Sequence, residues 1–209
     1  MSDTEMNSLL VEMAETSRSR FYGKYRGVVK SIETDQNLCR IVALVPEVYG
    51  DNVESPPAYP CAPFAGKDHG LVLIPEEGDG VWIEFEAGDP SRPVWSGGWW
   101  GDGELPEPAG PKARTLATTT GHKIVLDDDG AEIQVIHSGG AQMKMTDDDI
   151  TLTIGQTETK MTSDEISLKI GTTEIKLSST EIVLKSGPTA QVKISASGVD
   201  INNGAMKVM

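Results

Sequence analysis

From residue 143 to residue 186 the chain reads MKMTDDDITLTIGQTETKMTSDEISLKIGTTEIKLSSTEIVLKS, with aliphatic side chains at alternate positions of each short run. Successive side chains of a strand point to opposite faces, so this period-two alternation predicts half-buried β-strands. Gly139, Gly155, Gly171 and Gly187 stand sixteen residues apart. Each unit therefore holds two strands and two turns, the turns carried by these glycines and by DDD, SD and SST. One strand of each unit is marked by Met143/Met145, Met161, Ile175/Leu177 and Val192/Ile194. The other is marked by Ile150/Leu152/Ile154, Ile166/Leu168/Ile170, Ile182/Leu184 and Val199/Ile201. The last unit is one residue longer, and Ile124/Leu126 with Ile133/Val135 read as an imperfect upstream copy.

Such strands offer two or three aliphatics each and no aromatic ring, too little to fill a sandwich core within one chain. Repeat units bury their faces by stacking on neighbours. Side chains of this size fit a narrow interior where three faces meet around an axis. The expected core of that trimer is Ile150, Leu152, Ile154, Met161, Ile166, Leu168, Ile170, Ile175, Leu177, Ile182, Leu184, Val192, Ile194, Val199 and Ile201. If three chains intertwine, each strand pairs with a different chain above and below, and sheet edges survive only at the ends. Residues 121–209 would then give about eleven strands and a needle on the order of 50 Å long. A single-chain β-solenoid is the alternative use of the same pattern.

The front of the chain has a different texture. Residues 1–22 read as a short helix or a tail, with Asp3 or Ser2 as cap and Leu9, Leu10 and Met13 as a narrow apolar stripe. Five strands come next: YRGVVKSIE and LCRIVALV about TDQN, GLVLIP and GVWIEFEAG about EEGD, and RPVWSGGWW. That number and spacing suit a small closed barrel such as an OB-fold. Val81, Ile83 and Phe85 share one face of their strand, with Trp82, Glu84 and Glu86 on the other. Gly78 and Gly88 suit turns that need positive φ, and Pro90 and Pro93 fix the turn into the last strand. Every aromatic residue lies at or before Trp100, and Pro188 is the one proline after Pro111. The expected organisation is residues 1–22 as helix or tail, 23–100 as the barrel, 101–117 (opening with GDGELPEPAGPKAR) as linker, and 118–209 as the repeat region.

LVLIPEEGDGVWIEFEAGDPSRPVWSGG at 71–98, with VPEVYGD at 45–51 and PFAGKDHG at 63–70, resembles the OB-domain of the phage baseplate assembly protein V group, related to the VgrG spikes of type VI secretion. The resemblance implies an all-β chain in which the OB-fold is followed by an intertwined trimeric, triangular β-helix. TTTGHKIVLDD at 118–128 resembles the lead-in to that helix. The implied role is structural: a homotrimeric central spike under the hub of a contractile-tail or injection-machine baseplate, piercing the target cell envelope when the sheath contracts. Residues 1–22 would touch hub proteins, and assembly would take place in the cytoplasm. Met206 and Val208 would form an apolar tip, capped by a separate PAAR-like protein or closed by three C-termini on each other. Some relatives hold iron near the tip through an H-x-H pair. No histidine follows His137, so no such metal is expected, and no lysozyme-like insert is visible.

Charge narrows the alternatives. The chain carries 32 acidic and 18 basic residues, a formal net charge of −14. Nucleic-acid binding rests on clustered Lys and Arg that neutralise phosphates, so an oligonucleotide-binding module is disfavoured. Trp99 and Trp100 read accordingly as packing or interface residues. A β-solenoid surface adhesin is a further alternative. Cys39 and Cys61 lack metal-ligand spacing and are expected as free thiols. His69, His122 and His137 have no spaced partners, CAPFAGK lacks the first glycine of a phosphate loop, and LDDDGAE and TDDDIT miss the calcium-loop spacing. No catalytic, cofactor-binding or metal-binding residue is therefore expected. No run of eighteen apolar residues and no secretory signal core is present.

Overall fold

Alternation in the front half becomes burial on one side of a sheet. The computed structural model describes residues 3–33 and 38–208. The TDQN turn and the Ser2 or Asp3 cap fall on residues or side chains outside that set. Residues 1–104 form one compact unit and residues 105–209 another.

The first unit opens with helix α1 (Asp3–Ser19). Its stripe residues Leu9, Leu10 and Met13 are all exposed, so the helix forms but buries no face in this chain. Then come β1 (Tyr25–Glu33), β2 (Arg40–Leu44), α2 (Pro46–Tyr49), β3 (Tyr59–Pro60), β4 (Ala65–Gly66), β5 (His69–Gly70), β6 (Gly80–Phe85) and β7 (Pro93–Trp99). Five of them make an OB-like half-barrel sheet of order β2-β1-β6-β7-β3. Its ends are joined by the isolated bridges Ile41↔Ala58 and Leu44↔Glu54. Val81, Ile83 and Phe85 point into the core with Val29, Ile41, Val45 and Trp95, as the alternation predicts. Gly78 and Gly88 do take positive φ, at 94° and 74°. Asp89 accepts from the Ser91 amide and hydroxyl, and Tyr49 donates to the Pro90 carbonyl at 2.6 Å, holding the chain reversal between the two prolines.

One predicted strand is absent. GLVLIP contributes Gly70 to the small β4–β5 hairpin, and the Leu71 amide donates to the Phe64 carbonyl, but among the described residues 71–75 join no strand. The reason is topological: both edges of β6 are already occupied, by β1 and β7. Leu71, Val72 and Leu73 are left exposed.

The second unit is a single layer. Its strands are β8 (Ala113–Ala117), β9 (Lys123–Asp127), β10 (Glu132–Ile136), β11 (Gln142–Met145), β12 (Asp149–Ile154), β13 (Thr157–Thr162), β14 (Glu165–Ile170), β15 (Thr173–Ser178), β16 (Glu181–Ser186), β17 (Ala190–Ser195), β18 (Gly198–Ile201) and β19 (Met206–Val208). They lie side by side in sequence order as one 12-stranded antiparallel meander. The sheet starts at Ala113, inside the stretch expected as linker.

This arrangement corrects two expectations. Strands were expected to pair between intertwined chains, yet β9 to β18 each have both edges taken by their own sequence neighbours. Nor do successive strands enter different sheets, as a solenoid would require. The sixteen-residue hairpins are short enough to pair locally, which costs the least loop-closure entropy.

The turns follow the glycines with one exception. Gly155 and Gly171 open two-residue loops at φ 58° and 57°, the first-position signature of a type II′ turn. Gly187, at φ 65°, opens a three-residue loop, which absorbs the extra residue of the last unit. At the first turn it is Gly140, at φ 89°, rather than Gly139 that takes the left-handed position.

Candidate functional site

The pairing registers of the repeat sheet stack its aliphatic side chains into two continuous columns on one face. The first runs Leu126, Ile133, Met145, Ile150, Met161, Ile166, Leu177, Ile182, Ile194, Val199, Val208, headed by Arg114. The second runs Leu116, Ile124, Val135, Met143, Leu152, Thr159, Leu168, Ile175, Leu184, Val192, Ile201, Met206. Every residue expected in the trimer core except two falls in these columns. Ile154 and Ile170 stand in a marginal third column with Thr157 and Thr173, beside the glycine turns.

Nothing in the described residues of the repeat unit covers this face. Leu152, Leu168 and Leu177 are 47%, 45% and 46% exposed, values typical of the columns, and Ile154 and Ile170 rise to 68% and 64%. Val125, on the opposite face, is the one hydrophobic residue of this unit that counts as buried among the described residues. Its strand neighbours explain why. Thr115 donates to the Pro108 carbonyl and Lys123 to the Glu107 carbonyl, each at 2.6 Å, so residues 107 and 108 lie over that side. Met206 and Val208 sit on β19, whose outer edge has no strand partner among the described residues.

The opposite face is a ladder of ions. Lys144 pairs with Glu132, Lys160 with Asp149 at 2.8 Å, Lys176 with Glu165, and Lys193 with Glu181. Each pair joins adjacent strands diagonally. A hydroxyl closes the turn beside the acidic partner. Thr146 Oγ1 accepts from the Asp148 and Asp149 amides, Thr162 Oγ1 from Asp164 and Glu165, and Ser178 Oγ from Thr180 and Glu181. Glycine turns on the other edge touch as well, Gly171 donating to the Gln156 carbonyl and Gly187 to the Thr172 carbonyl. Sequence reasoning missed the ladder, although the spacing of Lys144, Lys160, Lys176 and Lys193 announces it.

The ladder sets a pH expectation. The Lys160 ammonium, aided by the Thr151 hydroxyl, holds the Asp149 carboxyl below its ordinary range, against a smaller opposing effect of burial. Asp149 in turn raises Lys160, and Glu165 raises Lys176. A depressed carboxylate favours the fold above its ordinary pKa, and this is lost as pH falls through the lower folded value. A raised lysine favours the fold below its ordinary pKa, and this is lost as pH rises through the folded value. The Asp149–Lys160 pair is therefore intact across neutral pH and is lost at both extremes. In a carboxyl-carbon NMR titration Asp149 should inflect below the ordinary carboxylate range, and Lys160→Met should move the inflection upward. An inflection unmoved by that substitution would refute the pairing.

In the first unit, a cavity of about 870 Å³ is lined by Cys39, Cys61, Phe64, Leu71, Ile74 and Trp95, among others. Both cysteines are free. His69 Nδ1 bonds with the Lys67 carbonyl, and the His122 and His137 rings lie 4.5 Å apart, where His122 Nδ1 accepts from the Ser138 amide. Among the described residues no group of three or more His, Cys, Asp or Glu is placed to hold a metal ion. No helix of the described residues is long and apolar enough to cross a membrane. Tyr49 is pushed up to about 12 by burial, with the Asp89 carboxylate adding to the effect.

No curated protein matches the chain. Residues 25–100 match the family described as the Type VI secretion system/phage-baseplate injector OB domain. The matched stretch begins at β1, ends just past β7, and contains the GDP reversal and the buried Val81, Ile83 and Phe85. This match supports a resemblance of residues 25–100 to the VgrG-like and phage baseplate protein V group, and with it a baseplate-related structural role.

Proposed function

We propose that the chain is the central spike of a contractile-tail or type VI-like baseplate, a homotrimer that pierces the target envelope when the sheath contracts. One observation carries this reading: an injector OB domain is followed in the same chain by a sheet whose whole apolar face is uncovered. A strip of half-exposed Leu, Ile and Met running the length of twelve strands far exceeds what a lone soluble protein leaves open. Burying a fully exposed side chain of this kind is worth roughly 1.5–3 kcal/mol. These are about half-exposed, so each gains about half of that on being covered, and the strip as a whole strongly favours a covering partner.

Three copies of the same sheet suit the geometry. The face is two aliphatic columns wide, and three such faces turned to a common axis close a narrow triangular prism. Cyclic closure of this kind uses the same patch on every copy and leaves no apolar face outside. Each sheet keeps its own strand pairing, so the prism is held by side-chain packing rather than by strand exchange. Twelve layers at ~4.8 Å give a length of about 58 Å. Hydrogen bonds along every strand and the ion ladder outside it supply stiffness, which is the mechanical requirement.

The remaining assignments rest on the same reading. The exposed stripe of α1 is suited to a hub protein of the baseplate, and the unpaired edge of β19 to a PAAR-like tip protein. The role is non-enzymatic, needs no cofactor, and involves no nucleic acid. Assembly in the cytoplasm precedes incorporation into the virion tail or injection machine. Light scattering tests the core of this proposal: the expected mass is three times 22.4 kDa. A well-folded monomer at micromolar concentration would overturn it.

A further inference from the structure

The apolar face is nearly the same at every level, which creates a problem of alignment. Moving along the sheet by one repeat superimposes Ile150 on Ile166 and Ile182, Leu152 on Leu168 and Leu184, and Lys144 on Lys160 and Lys176. Three such sheets packed face to face could slip past one another by two strands, about 9.6 Å, and exchange one set of aliphatic contacts for an almost identical one.

One position breaks the repeat. Met143, Thr159, Ile175 and Val192 are equivalent places in the second column, and Thr159 alone among them is polar. It stands between Leu152 and Leu168 on the neighbouring strands. It is half-buried, and its hydroxyl has no hydrogen-bond partner among the described residues. The only other polar side chain in the two columns, Arg114, lies on the first strand and is engaged by Asp128 at 2.7 Å. Thr159 is thus the single unengaged polar group in an otherwise aliphatic strip.

Resting on the trimeric reading, we propose that Thr159 sets the axial register of the assembly. In register, three hydroxyls reach the same level of the axis and satisfy one another, directly or through a water. Slipped by one repeat, a hydroxyl faces Met143 or Ile175 of its neighbours and is buried unpaired, which is costly. A lone polar layer selects register in coiled coils by the same physics, at some expense of stability.

The test uses the full chain with Cys39 and Cys61 replaced by serine and a spin label on Lys169→Cys, an exposed site next to Leu168. The unmodified register should give one distance between labels. Thr159→Val should still assemble but add a second, longer distance, from copies offset by about 9.6 Å. Thr159→Ser should keep the single distance. Thr159→Val/Ile175→Thr moves the hydroxyl layer by one repeat and should restore it. A single unchanged distance in Thr159→Val overturns the inference, as does a double variant that retains two. A Thr159→Val chain that stays monomeric while Thr159→Ser assembles also overturns it, because the hydroxyl would then serve association rather than register. If the starting protein shows no distance between labels at all, the trimeric reading itself falls.

Discussion

Leu168→Asp is expected to leave the protein monomeric. Leu168 lies in the middle of the second column, between Thr159 and Ile175, and is 45% exposed in the single chain. Nothing in that chain depends on its being apolar, so the strands themselves should still pair. In the proposed prism the substitution places three carboxylates at one level of a narrow apolar axis. The desolvation of each ion costs several kcal/mol, and like charges held close add to it. No cation on the same face is near enough to compensate, since Lys160 and Lys176 project from the other side with Ser167. Light scattering should fall from the trimer mass to that of one chain. Ser167→Asp is the control: one residue away, it faces those two lysines and should assemble normally. If Leu168→Asp assembles as well, the inward assignment of the columns is wrong.

The columns were legible in the sequence because the period of a strand is a local property. Ile150, Leu152, Ile166 and Leu168 needed only alternation to be placed on one face, and their registers merely align what alternation had sorted. What could not be read was which edge pairs with which. The same alternation serves pairing within a chain and pairing between chains, so intertwining was compatible with every residue and yet is not the arrangement found. GLVLIP failed for a related reason. Its apolar run is strand-like, but a strand needs a free edge, and β6 has none to give. Helix α2 spans four residues, too few for a periodic signal, and only Pro46 at its start hints at it. The choice between Gly139 and Gly140 turns on one backbone dihedral that spacing does not encode. The ion ladder was visible as a lysine spacing, but its diagonal partners depend on register, which exists only once the strands have met.

The two units should respond to damage separately, and Ile83→Ala is the substitution that separates them. Ile83 is fully buried in β6, opposite Tyr25 on β1 and Trp95 on β7, so its removal opens a cavity at the centre of the OB-like sheet. Loss of a buried Ile to Ala costs about 2–5 kcal/mol. For a unit of this size each kcal/mol moves the midpoint by roughly 4–8 °C, so the first transition should fall on the order of 10–30 °C. Trp95, which packs in the same core, makes its fluorescence a direct report. The core of the first unit is complete within one chain, whereas the repeat sheet has its apolar face uncovered and waits for other copies. Just above the lowered midpoint, with the first unit unfolded, the trimer mass should therefore be unchanged. A coincident loss of mass and of Trp95 signal would mean instead that the OB-like core helps hold the three copies together, and the division of labour between a self-contained barrel and a collectively built prism would have to be abandoned.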